Sequence, residues 1–313
     1  MKKILVIRFS SIGDIVLTSP IVRCIKSQLP DAEVHFLTKA SFESLVSSNP
    51  FIDKVHLLKD SLNDLKESLI SENFDFVVDL HKNIRSKKVC SWLDCPNGSF
   101  DKLNWKKFML TKLKVDKMPN IHVVDRYFQA VQPLNIVNDQ KGLDFFYPDN
   151  IKVEGLPQKF HCFAIGGSFG TKKYPKELIK HVIEQSPLRV VIIGGGKEDQ
   201  EVAEYLGDSC INFVNKISIQ ESAYVVSKAE KVITHDTGMM HIAAALKKDI
   251  ISIWGNTVPS FGMTPYLPGK NSKIIENNNL SCRPCSKLGY DECPKKHFKC
   301  MVGIDPKEVS SCL

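Results

Sequence analysis

Four strand-to-helix segments of this 313-residue chain carry residue types suited to moving protons and holding phosphates. The first is Ser10-Ser11-Ile12-Gly13-Asp14, directly after the apolar run Lys3–Arg8. Gly13 permits a tight turn, and Asp14 stands where a helical pattern begins. As a cap, Asp14 would accept backbone N–H groups and lie favourably in the helix dipole. As a general base, the same carboxylate would take the proton of an acceptor hydroxyl within hydrogen-bond reach. The residues alone leave both readings open.

The second segment is Gly166-Gly167-Ser168-Phe169-Gly170-Thr171-Lys172-Lys173-Tyr174-Pro175. Its glycines let a phosphate approach the backbone, Ser168 and Thr171 offer hydroxyls, and Lys172 or Lys173 offers charge. Pro175 suits the first position of a helix whose free N–H groups face the loop. The third is His235-Asp236-Thr237-Gly238-Met239-Met240-His241, leading into the small-residue run Ala243-Ala244-Ala245. Thr237 and Gly238 would present a hydroxyl and bare amides to a diphosphate. Asp236 also reads as an N-cap and His241 as a core histidine. In the fourth, Gly194-Gly195-Gly196 precedes Glu198, whose carboxylate would accept hydrogen bonds from a ribose. The chain has no dinucleotide fingerprint, Walker lysine–serine pair, HExxH or GxSxG. Dehydrogenase, ATPase, zinc-protease and ordinary serine-hydrolase readings are therefore disfavoured.

The elements that must position these loops repeat β/α alternation twice. In the first half, apolar strands are expected at Lys3–Arg8, Val34–Leu37 and Phe76–Leu80. Helices are expected at Ile15–Leu29, Ser41–Ser47, Asp60–Ser71 and Ile121–Leu134. Residues 148–159, with two prolines and a glycine close by, read as a linker between domains at 1–147 and 160–313. Strands then recur at Phe160–Ile165, Arg189–Ile193, Lys231–Thr234 and Ile250–Trp254. Helices follow at Lys176–Gln185, Glu198–Leu206, Ile219–Ser227 and Met239–Leu246. Short continuous apolar strands between helices imply parallel sheets covered on both faces, an α/β class of two Rossmann-like halves. Ligands of such sheets bind beyond the carboxyl ends of the strands, so a cleft between the halves is expected.

Composition is that of a soluble globular protein, 43% hydrophobic and 25% charged. The basic opening is followed by an apolar run too short for a signal peptide, and no stretch approaches the ~20 apolar residues of a membrane span. A cytoplasmic location is expected. Net charge is +7, and residues 81–118 alone hold ten Lys/Arg against three Asp. Trp92, Phe100, Trp105, Phe108, Met109 and Leu110 are interleaved with them. That stretch reads either as a surface docking on anionic lipid or as a solvated basic face over core aromatics. No nucleic-acid module surrounds it. Ten cysteines in a cytosolic chain are expected to be mostly reduced. The tail cysteines Cys282, Cys285, Cys293 and Cys300, with His297 among them, admit a structural zinc, but their spacing is not that of a zinc ribbon. No metal is assigned to them.

Taken in order, these loops resemble glycosyltransferase family 9, the bacterial lipopolysaccharide heptosyltransferases. The resemblance rests on Arg8-Phe9-Ser10-Ser11-Ile12-Gly13-Asp14-Ile15-Val16-Leu17-Thr18-Ser19-Pro20, on Lys172-Lys173-Tyr174-Pro175, and on Asp236-Thr237-Gly238-Met239-Met240-His241-Ile242-Ala243-Ala244-Ala245-Leu246. It implies a GT-B fold and an inverting, metal-independent transfer without a cofactor, from ADP-heptose to an anionic core glycolipid at the inner membrane surface. It further implies Asp14 as base, with Ser10, Ser11, Gly13, Lys82 and Arg85 toward the acceptor. On the donor side it implies Ser168, Thr171, Lys172, Glu198, Asp236, Thr237, Gly238 and His241. Tyr174 stands where the family usually shows Trp, and Gly167 where a hydroxyl is usual. The alternatives are a member using another nucleotide sugar, a nucleotide-sugar epimerase of the same fold, and a non-catalytic nucleotide-binding adaptor.

Overall fold

The computed structural model describes residues 2–313. The chain divides into two compact units. Unit 1 comprises the residues up to Lys102 together with Ile121–Pro148, and unit 2 comprises Leu103–Asn120 and Asp149–Leu313. The segment 103–120, expected with the first half, thus packs with the second. Lys114, within it, donates from Nζ to the carbonyls of Cys282 (2.9 Å) and Pro284 (2.7 Å).

Unit 1 is built on five parallel strands: β1 (Lys3–Ile7), β2 (Glu33–Lys39), β3 (Lys54–Leu58), β4 (Phe76–Asp79) and β5 (Asn97–Ser99), in the order β3-β2-β1-β4-β5. β1 is buried from Ile4 onward, as expected for a central strand covered on both faces. The helix expected at Ile15–Leu29 is two helices, α1 (Ile12–Val16) and α2 (Ser19–Gln28). Pro20, lacking an N–H, cannot continue α1 and instead stands in the first turn of α2. The helix expected at Asp60–Ser71 shrinks to a 3-10 turn at Leu62–Leu65 followed by α3 (Lys66–Ser71). A 3-10 turn at Ala40–Leu45 replaces the helix expected at Ser41–Ser47. α4 (Ile84–Trp92) follows β4, and α5 (Asn104–Phe108) belongs to the segment that joins unit 2. The long helix expected over Ile121–Leu134 reduces to α6 (Val123–Tyr127) and a 3-10 stretch, Phe128–Leu134, that contains Pro133. That proline removes a helix hydrogen bond and clashes with the carbonyl four residues before it.

Unit 2 carries six parallel strands, β6 (His161–Ala164), β7 (Val190–Ile193), β8 (Ile211–Asn212), β9 (Lys231–His235), β10 (Asp249–Trp254) and β11 (Lys273–Glu276), ordered β11-β10-β9-β6-β7-β8. The helices α7 (Lys176–Glu184), α8 (Lys197–Leu206), α9 (Ile219–Lys228) and α10 (Gly238–Ala245) fall within a residue or two of their expected spans. α11 (Lys299–Val302) and α12 (Pro306–Ser310) close the tail. Phe163, Ile192, Ile233, Ile253 and Met301 share one fully buried core. Among the described residues no helix is long and apolar enough to cross a membrane.

Candidate active site

Each sheet reverses its winding at one point, and the candidate residues gather there. In unit 1, β1 pairs with both β2 and β4. The loop after β1 carries Asp14 and the loop after β4 carries His81, Lys82 and Arg85. This is the switch point where open α/β sheets bind ligands.

Asp14 lies in the first turn of α1 and is neither solely a cap nor detached from the helix end. Its Oδ2 accepts the Ser11 N–H (3.2 Å) and the Ser11 hydroxyl (2.9 Å), while its Oδ1 meets Arg8 Nη2 at 2.6 Å. The Arg8 side chain is 9% exposed against 24% for Asp14. The arginine is therefore the buried brace and the carboxylate the accessible group. Arg8 is itself fixed by donating to the carbonyls of Ser10 (2.8 Å) and Leu80 and to the Tyr127 hydroxyl (3.3 Å). His81 packs edge-on to Phe9 at 5.1 Å, and its buried Nδ1 has no hydrogen-bond partner. Burial and the charge of Arg8 lower its pKa to about 4. Half-buried Lys102 is pushed down by burial and by Arg8, and drawn up by Asp79 and Asp14.

Of the expected acceptor residues, Ser11 touches Asp14, Ser10 supplies a carbonyl to Arg8, and Gly13 is buried inside α1. Lys82 does not reach outward: its Nζ donates to the Phe100 carbonyl at 2.7 Å. Its backbone N–H is held by the buried Asp79 at 2.6 Å, and its φ is +47°. Arg85 is exposed on the first turn of α4. Sequence reasoning missed Arg8, His81 and Lys102 as site residues. Arg8 stood inside the first motif of the family resemblance, and His81 next to Lys82. Lys102 was counted within the basic stretch and carried no mark separating it from its neighbours.

In unit 2 the winding reverses between β6 and β9, which are paired. Lys172 follows β6, and its Nζ meets Asp236 Oδ2 at 2.6 Å and the Asp236 carbonyl at 3.1 Å, just beyond the end of β9. Asp236 also accepts the Thr257 hydroxyl (2.7 Å), so it is a fixed counter-ion rather than the N-cap of α10. The residue before α10 is Thr237, with extended backbone and no side-chain capping bond, which leaves the first amides of this eight-residue helix uncapped by a side chain. Gly167 lies against this loop: a Cβ there would meet Thr237 Cγ2 and Lys173 Cγ, each at 3.4 Å. Pro175 is the N-cap of α7 rather than its first residue.

Ser168 and Glu198 are both exposed, the Glu198 side chain 72% accessible. Lys173 bridges Glu198 and the buried Asp199, both at 2.8 Å. Asp199 in turn accepts the Gly195 N–H at 2.9 Å, so Lys173 ties the loops after β6 and β7 together. His241 is buried on α10. Thr171 is buried and does not face the other hydroxyls: its Oγ1 accepts the Tyr290 N–H and pairs with the Tyr290 carbonyl, both at 2.8 Å. Tyr174 is buried, its N–H held by His235 Nε2 (3.0 Å) and its hydroxyl donating to the Ile304 carbonyl (2.7 Å). The tail is fastened by Arg283, which donates to the carbonyls of Thr257 (2.8 Å) and Asn277 (2.6 Å) and pairs with Glu276 (2.8 Å). All ten cysteines are free thiols, with Cys282 Sγ 3.8 Å from His297 Nε2. The tail thiols do not bring three ligand atoms into one tight group; among the described residues one such group exists, and it lies in unit 1.

Two carboxylate–cation pairs at switch points, one with an uncapped helix start beside it, suit proton removal and diphosphate binding. The family model for glycosyltransferase family 9 (heptosyltransferase) matches residues 62–296. Lipopolysaccharide heptosyltransferase 1 of Campylobacter coli is 30% identical over 83% of this chain and 85% of that protein. Lipopolysaccharide heptosyltransferase 2 of Escherichia coli is 23% identical over 98% and 96%. Among solved structures, a family 9 glycosyltransferase of Veillonella parvula superposes with TM-score 0.77 at 21% identity, covering 99% of this chain and 96% of that one. The E. coli heptosyltransferase WaaC with ADP gives 0.73 at 19% identity, covering 99% and 98%. The fold is GT-B, two Rossmann-like units in one chain. With most of its length matched by the family model and a 30% identical relative spanning it, the chain belongs to glycosyltransferase family 9 and is a glycosyltransferase.

Proposed function

We propose that the chain transfers a heptose from ADP-heptose to a lipopolysaccharide core acceptor, with inversion and without a metal in the chemical step. The observation that carries this reading is the Asp14–Arg8 arrangement: an accessible carboxylate held in one orientation by a buried guanidinium and by Ser11. Asp14 removes the acceptor hydroxyl proton as that oxygen attacks the anomeric carbon from the face opposite the diphosphate. The bond to the diphosphate breaks, and negative charge grows on the departing ADP. Lys172 and the first amides of α10 meet that charge, stabilising the transition state more than the ground state. Glu198 is assigned to the ribose, and Ser168, Thr237, Gly238 and His241 to the rest of the donor. Thr171 shapes the loop through Tyr290. Exposed Arg85 is assigned to anionic groups of the acceptor.

The same reading places the chain on the cytoplasmic side, peripherally at the inner membrane. Trp105 and Phe108 stack at 5.6 Å and are 70% and 44% exposed, and Leu113 is 57% exposed. Lys106, Lys107 and Lys112 alternate with them. Apolar side chains flanked by lysines match an anionic lipid surface. Reversing those three charges is expected to abolish binding to anionic vesicles; unchanged binding removes the membrane assignment.

Calorimetric titration with ADP, UDP and GDP in the presence of EDTA tests the donor. ADP is expected to bind selectively. Preference for UDP or GDP would retain the transferase and overturn the heptose donor, and binding of none would overturn the whole reading.

A further inference from the structure

A cluster outside the transferase site lies at the amino end of the unit 1 sheet, away from the loops that follow the strands. His35 on β2, His56 on β3 and Glu72 beyond α3 bring one ligand atom each within 4.8 Å of one another. The two imidazoles are fully or nearly buried, 0% and 7% exposed, and the Glu72 side chain is 12% exposed. Phe74 stands edge-on to both rings, at 5.1 and 6.0 Å, and walls the group from solvent.

We propose that His35 Nδ1, His56 Nε2 and the Glu72 carboxylate form a binding site for a divalent transition cation of the zinc–cobalt class. Two features support it. First, the two ring nitrogens are 2.9 Å apart, close to the ~3.3 Å that two ligands on a tetrahedral ion with bonds of about 2.0–2.1 Å require. Second, Glu33 Oε1 lies 2.8 Å from His35 Nε2. A carboxylate only accepts, so in the neutral ring Nε2 carries the proton and Nδ1 presents its lone pair toward His56, the orientation metal-ligating histidines receive from an outer carboxylate. Two imidazoles and a carboxylate are the donor set of zinc and its neighbours, with a fourth position for water.

Glu72 is now bridged by Lys3 (3.0 Å) and Lys54 (2.5 Å). Lys54 is half exposed and turns to solvent readily, and Lys3 has Glu33 at 3.9 Å as a second partner. The ion would take the place of the hydrogen between the rings, the His56 proton moving from Nε2 to Nδ1, and would pin β2, β3 and the end of α3 together. The competing account is a hydrogen-bonded histidine pair capped by an ordinary ion-pair network.

The test uses the 313-residue chain carrying Cys282→Ser and Cys285→Ser, so that the Cys-x-x-Cys arm of the tail does not contribute. Titration with Co²⁺ and Zn²⁺ is followed by calorimetry, cobalt absorption and melting temperature. One equivalent is expected, with a four-coordinate cobalt spectrum lacking thiolate charge transfer and a metal-dependent rise in melting temperature. Glu72→Gln should weaken binding at least tenfold, and His56→Asn should abolish it. Absence of binding, or affinity unchanged by Glu72→Gln, overturns the site. Because Glu72→Gln keeps side-chain shape, it decides between the two accounts even if His56→Asn fails to fold.

Discussion

The two units place a cation–carboxylate pair at the same point of the same kind of sheet, yet burial gives the partners opposite roles. In unit 1 the arginine is sunk beneath the carboxylate, braced by two carbonyls and Tyr127, and Asp14 is the more accessible partner. In unit 2 the carboxylate is the braced partner. Asp236 is held by Thr257 at the end of β9, and its side chain is less exposed than that of Lys172, 11% against 16%. One motif thus leaves the anion as the more accessible partner in unit 1 and the cation as the more accessible partner in unit 2, which suits the roles proposed above for an incoming hydroxyl and a departing diphosphate. Preorganised groups of this kind need little reorganisation when charge moves, which is where electrostatic catalysis gains most.

The largest break in that comparison is Asp14→Ala. A general base contributes about 10²–10⁴ in rate, so kcat is expected to fall by that order while ADP affinity stays within twofold of wild type. Lost ADP binding with kcat retained would reverse the assigned roles. Next is Lys172→Ala. Removing one group that meets developing charge costs about 10²–10³ in kcat, and here ADP affinity should weaken as well. The two variants are separated by this second readout, measured by calorimetry on the same preparations. Arg85→Ala is smaller. An exposed cation contributes at most about 1 kcal/mol, so the acceptor KM should rise about two- to fivefold, less at high salt, with kcat unchanged. An effect on kcat would place Arg85 in the chemistry instead.

The sequence made the central elements legible and the margins poorly so. β1, β4, β6, β7, β9 and β10 are continuous apolar runs because both their faces are covered, and such runs stand out against helices with one polar face. The strands it passed over, β3, β5, β8 and β11, lie at or next to the sheet edges. β5 is Asn97-Gly98-Ser99 and β8 only two residues, neither with any apolar period to see. In unit 1 the helices broke at Pro20 and Pro133, the one inside the expected helix and the other near its end, where backbone chemistry overrides pattern. In the site, loop membership was legible from glycines and hydroxyls after strands. Individual partners were not. That Lys82 would turn inward to Phe100, or that Thr171 would spend its hydroxyl on Tyr290, depends on residues 18 and 119 positions away.

The smallest effect tests the frame behind the unit 2 pair. His235 is fully buried at the end of β9 and accepts the Tyr174 N–H at Nε2, which orients the chain just after Lys172 and Lys173. Burial lowers its pKa to about 4, whereas an unfolded imidazole titrates near 6.5. Between those values the unfolded chain holds the extra proton, so stability rises with pH across this window and is lost as pH falls from about 6.5 toward 4. His56 and His81, also lowered to about 4, act with the same sign in unit 1. His235→Gln keeps an acceptor for Tyr174 and removes one titrating group. Its melting temperature is therefore expected to fall less steeply between pH 6.5 and 4 than that of wild type, the slope losing up to one proton, about 1.4 kcal/mol per pH unit. Parallel slopes would show that His235 does not titrate with folding.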